Sequence, residues 1–184
     1  MNKWYDACTL NPKKFVCRYC GVFVASNKGY FYERKDKDMM VYICPNCENA
    51  TYFSGLDQFP APIFGNDVDN LPQDINSLYN EARACTSVGA YTSSVLTCRK
   101  LLMNIAVQKG EATGKSFLDY VEYLSNKGYV PPDGKGWVDQ IRKKGNEANH
   151  EIVLMREDDA KDLINFLEML LRFIYEFPSK IPGT

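Results

Sequence analysis

The sequence predicts an α+β chain: a small β-rich module at the N-terminus, followed by an all-α bundle of about five helices. Three observations carry this reading. Two C-x2-C pairs, Cys17-Arg-Tyr-Cys20 and Cys44-Pro-Asn-Cys47, flank twenty-three residues of strand-like sequence. Residues 59–72 hold Pro60, Pro62, Gly65 and Pro72 among Asn and Asp, with little periodicity. Beyond them, apolar residues recur at threes and fours, the period of a helix with one buried face.

Between Cys20 and Cys44, the runs Val22 to Ala25, Tyr30 to Glu33 and Met39 to Ile43 are aromatic and β-branched, and turn-forming or charged residues separate them. They read as short antiparallel strands. Each C-x2-C pair places two sulfurs at one tight turn, so Cys17, Cys20, Cys44 and Cys47 can surround a Zn2+ ion tetrahedrally. Four thiolates close the shell and leave no position for water, which makes the ion structural. So short a segment buries little apolar surface, and structural zinc contributes roughly 10–16 kcal/mol in small zinc peptides. Residues 1–58 are therefore expected to form a four-cysteine zinc ribbon, with 59–72 as a linker. On such a ribbon, exposed Tyr19, Tyr30, Tyr32 and Tyr52 would suit base stacking or protein contact equally. Cys8 reads as a free thiol, and Cys85 and Cys98 as small core residues.

In the helical part, Ile75, Leu78, Ala82 and Cys85 form one stripe ending at Gly89, and Val95, Leu96, Leu101, Leu102 and Ile105 a second ending at Gly110. Ser116 and Asp119 form a capping box before Phe117, Val121 and Leu124, and Gly128 ends that helix. After a loop containing Pro131, Pro132, Gly134 and Gly136, a fourth helix starts at Trp137, Val138 and Ile141. A long fifth helix carries Ala160, Leu163, Ile164, Leu167, Leu170, Leu171 and Ile174, and Glu157, Asp158 and Asp159 suit its positive N-terminus. The bundle is expected over 73–178, with a tail at 179–184.

The 184 residues are 45% apolar and 24% charged, which suits folded domains. The net charge is −1. Residues 1–59 hold eight Lys/Arg against six Asp/Glu and the remainder fourteen against seventeen, so charge alone does not predict tight non-specific binding to nucleic acid. Neither an apolar leader nor an uncharged span of membrane length is visible. A cytoplasmic protein is expected, with its thiols assigned to metal rather than disulfides. Glycine-rich phosphate loops, H-E-x-x-H and G-x-S-x-G are missing from the sequence.

The single histidine, His150, ends Ile141-Arg-Lys-Lys-Gly-Asn-Glu-Ala-Asn-His. On a helix Arg142, Asn146 and His150 share one face. Together with Leu78 to Ser87, Ser94 to Ile105 (which includes Arg99) and Gly145 to His150, this segment resembles the HEPN superfamily of helical bundles. The resemblance covers about residues 70–177. It looks closest to a bacterial branch of unknown function often found at the C-terminus of restriction-type proteins. It implies an RNA-directed protein in bacterial or phage conflict or stress response, either an RNA binder or a metal-independent endoribonuclease, and a homodimer formed through the bundle. In an active site His150 would be acid or base, Arg142 or Lys144 the cation, and Asn146 a positioning group. The family's nucleases show an Arg, then four to six residues, then the His, with a polar residue following the Arg. Here Arg142 precedes His150 by eight, and Gly145 precedes Asn146, which weighs against catalysis. Arg99 reads as a buried partner for a carboxylate or a helix end, with binding as its other role. The competing class is a non-enzymatic dimeric adaptor or regulator that binds protein.

Overall fold

A computed structural model describes residues 4–32, 39–130, 136 and 154–181. The chain forms two compact units, Met1–Ile63 and Phe64–Thr184.

The first unit is a five-stranded antiparallel meander in the order β1-β2-β3-β4-β5. Its strands are β1 (Cys8–Val16), β2 (Phe23–Tyr32), β3 (Met39–Ile43), β4 (Ala50–Ser54) and β5 (Asp57–Phe59). One face buries Leu10, Phe15, Val24, Tyr42 and Phe53 together with Cys17 and Cys44. Phe15, Tyr42 and Phe53 meet edge-on or tilted, with ring centroids 5.3 to 6.3 Å apart. The sheet curls around this cluster: Gln58 Nε2 donates to Val16 O at 2.9 Å and Lys13 Nζ to Gly55 O at 3.4 Å, tying β1 to β5 and to the turn before it. Close strand approach imposes a glycine at 29, because a Cβ there would lie 1.8 Å from Val41 O.

The second unit contains α1 (Gln73–Ser87), α2 (Tyr91–Gln108), α3 (Phe117–Asn126) and α4 (Glu157–Leu171). The last runs on through one π turn, Arg172–Glu176, into a short turn at Phe177–Ser179. Their inner faces bury Ile75, Tyr79, Leu101, Leu102, Ile105, Leu124, Leu167 and Leu170 in one core. The capping box stands as the sequence predicts, with Ser116 Oγ accepting from Asp119 N at 3.2 Å and Asp119 Oδ2 from Ser116 N at 3.0 Å. The helix expected from Trp137 falls outside the described residues, so four of the five expected helices are seen.

Two details differ from the sequence reading. Leu96, placed in the α2 stripe, is 56% exposed, and the inner positions beside it are Ser94, Val95 and Cys98. The segment 59–72, expected as the linker, contains the boundary between the two units and makes contacts that its composition does not show. Phe59 closes β5 against Tyr52, while Phe64, Val68 and Leu71 join the helical core. Arg83, 5% exposed, fastens that segment to α1 by donating to Phe64 O, Gly65 O and Asp67 Oδ1. None of the described helices is long and apolar enough to cross a membrane.

Candidate metal centre and aromatic sheet face

Two turns of the same geometry build the metal centre. In the first, Cys17 N donates to Val22 O at 3.0 Å and Gly21 N to Cys17 O at 2.9 Å. In the second, Cys44 N donates to Asn49 O and Glu48 N to Cys44 O, both at 2.9 Å. Each turn aims two thiols at the same point. The Sγ atoms of Cys17, Cys20, Cys44 and Cys47 all lie within 4.8 Å of one another. Cys17 to Cys47 is 3.6 Å and Cys20 to Cys44 is 3.8 Å. A tetrahedral ion with sulfur ligands at about 2.3 Å would space them about 3.8 Å apart, so the donor set fits one such ion.

The thiols differ in environment. Burial pushes Cys17 up to about 12 and raises Cys44 as well. The Asn46 side chain and the Val22 amide draw Cys20 down to about 6. The raised pair would release its protons to a bound cation, which compensates the buried negative charge. Cys8 is not one of the ligands; its thiol donates to Gly29 O at 3.3 Å. Cys98 is fully buried among α-helical core residues and Cys85 is half-buried.

The strand register shapes the face of the sheet away from the core. Tyr30 is opposite Val41, Val41 opposite Tyr52, and Tyr52 opposite Phe59, one apolar row across β2 to β5. The Tyr52 and Phe59 rings are 6.0 Å apart at 33°. Tyr32 and Met39 form the start of the next row. Phe59 is 52% and Tyr32 62% exposed, while Tyr30 and Tyr52 are half-buried. Trp4 packs on Tyr30 with centroids 6.2 Å apart, and its indole N–H donates to Glu48 O at 2.7 Å. Tyr30 Oη donates to Tyr5 O. Tyr19, also expected to be open for contact, is exposed. The sequence reading does not reach Phe59 or Trp4. The only signal for Phe59 is its place five residues after Ser54, across a tight turn at Gly55.

Of the residues expected in a helical site, Arg142, Lys144, Asn146 and His150 lie outside the described residues. Arg99 is half-buried on α2; its guanidinium carbon stands 4.3 Å over the Phe117 ring, and burial lowers its pKa.

Fold and centre define a two-unit protein, a sheet with a four-cysteine metal site and a helical unit. Residues 80–182 match the family described as a domain of unknown function, DUF4145. The match spans more than half of the chain, and the chain belongs to that family. No curated protein and no solved structure matches it.

Proposed function

We propose that the chain is an RNA-directed protein in which a zinc-stabilised ribbon offers its aromatic sheet face to unpaired bases. The observation that carries the reading is the row Tyr30, Val41, Tyr52 and Phe59, flanked by Tyr32, on the face opposite the core. Aromatic side chains on an antiparallel sheet suit stacking by splayed bases, and base stacking tolerates a nearly uncharged module better than phosphate recognition does. Zinc is the ion that four thiolates at this spacing suit best, and a closed shell gives it a structural role.

The helical unit is HEPN-like in this proposal. It works in the cytoplasm, in bacterial or phage conflict or stress response, and pairs as a homodimer. Arg142, Asn146 and His150 are the residues that the resemblance assigns to the site, with Lys144 and Arg99 contributing charge to RNA contact. Gly145 breaks the nuclease pattern, so the function is binding, and metal-independent cleavage is absent. A protein-docking adaptor is the second reading, favoured by exposed Val22, Phe23 and Leu56 on the ribbon.

Titrating the zinc-loaded full chain with single-stranded RNA and with duplex DNA of the same sequence tests the proposal. Preference for the single strand is expected. Failure to bind either would overturn it in favour of the adaptor.

A further inference from the structure

The last helix has an outward stripe at steps of four: Asn165, Met169, Phe173 and Phe177. In a regular helix such a stripe winds steadily round the axis, because four residues exceed one turn. The π turn Arg172–Glu176 winds more widely and offsets that drift, so Phe173 and Phe177 stay on the side of Asn165 and Met169. Their rings meet edge to face, 5.3 Å apart, and are 46% and 44% exposed.

Beside the stripe, Asn66, Glu168 and Arg172 complete a cleft of about 340 Å³, at the small end of ligand-site sizes. Its formal charges are already matched. Glu168 accepts from Asn66 N at 2.8 Å, Asn66 Nδ2 at 2.9 Å and Arg172 Nε at 3.2 Å. Burial pushes its carboxyl up, but these partners outweigh that and hold it below the usual range. Arg172 reaches Glu176 at 2.6 Å and Asp67 O at 3.1 Å with its remaining donors. Among the described residues that line the cleft, neither a cation nor an anion has a free counter-charge. What the cleft still offers, among the described residues, is two phenyl rings, a thioether, and the amide of Asn165 with no protein partner.

Exposed aromatic rings set edge to face beside a donor-acceptor amide, in a charge-neutral cleft, match a neutral planar ligand with an amide-like edge. We infer that this cleft binds an unstacked nucleobase, which rests against Phe173 and Phe177 while Asn165 hydrogen-bonds its edge. This deepens the RNA reading by adding a second contact, on the helical unit.

The test titrates the full zinc-loaded chain with 2-aminopurine riboside, whose fluorescence falls on stacking, alongside binding of a single-stranded oligonucleotide. Quenching is expected with wild type. Phe177→Ala should weaken nucleoside binding about tenfold and Asn165→Ala about fivefold, with unchanged circular dichroism. Leu96→Ala, at an exposed position on α2 that does not line the cleft, should leave nucleoside binding unaltered. No quenching with wild type, or equal affinity in wild type, Phe177→Ala and Asn165→Ala, overturns the cleft. Should the oligonucleotide still bind in that case, the RNA reading stands and the cleft alone is lost. Nucleoside binding without oligonucleotide binding keeps the cleft and removes the RNA reading.

Discussion

Gly21 and Glu48 occupy the same station in the two cysteine turns. Each is four residues after the first cysteine of its pair, each amide donates to that cysteine's carbonyl at 2.9 Å, and their φ angles are +68° and +59°. A left-handed backbone costs a residue with a Cβ roughly 1 kcal/mol that glycine avoids. Glu48→Gly should therefore raise the stability of the zinc-loaded ribbon by about 0.5–1 kcal/mol, and Gly21→Ala lower it by about 1 kcal/mol. Thermal unfolding of the two variants at equal zinc content checks both signs.

Zinc retention should fall with pH in a defined direction. Cys17 and Cys44 have raised pKa values, so at neutral pH an empty site holds their protons, and binding an ion displaces them. Affinity consequently rises with pH. Below about 6 Cys20 also competes for a proton, and release should steepen there. A chromophoric chelator monitored from about pH 8 to about pH 4.5 should show one equivalent per chain held at the upper end and lost toward the lower; a flat profile would contradict the thiolate site.

Gly29 admits no side chain, since its Cβ would overlap Val41 O across β2 and β3. Gly29→Ala should separate these strands and destabilise the ribbon by about 2 kcal/mol or more, while leaving the helical signal of circular dichroism in place. Co-operative loss of that helical signal would count against two separately cored units.

Arg83 joins segment 64–67 to α1 through three groups from a nearly buried position. Arg83→Met should cost about 2–4 kcal/mol in the helical unit, because two carbonyls lose a charged donor. Acid should loosen the same region. Glu168 and Glu176 have lowered carboxyl pKa values, so their contribution is complete above the ordinary value of 4.5 and is lost as pH falls below it toward their folded values. Urea midpoints measured at about pH 6 and about pH 3.5 would reveal it, with Glu168→Gln flattening the difference.

The features legible in sequence are those set by local spacing. The four-cysteine cluster follows from two C-x2-C pairs, the Ser116 cap from Ser-x-x-Asp, and the inner face of α4 from its stripe of leucines. What escaped depends on partners distant in sequence. Phe59 joins the aromatic row through its pairing with Tyr52, and segment 64–72 is ordered by Arg83 and Glu168, the latter about a hundred residues away. Composition cannot distinguish a slack proline-rich segment from one pinned this way. Leu96 misled for a simpler reason: apolar residues also occupy exposed helix positions, and Ser94 took the inner one by bonding to Ala82 O and Thr86.

The most direct measurement is the affinity of a fluorescein-labelled single-stranded RNA for wild type, Tyr32→Ala and Phe59→Ala by anisotropy at fixed salt, with zinc content and circular dichroism matched. Stacking on the ribbon face predicts that each substitution weakens binding about tenfold, at a shallow salt slope because few phosphates are engaged. Unchanged affinity in both variants, or a wild-type protein that leaves the anisotropy of the RNA unaltered, would contradict the account.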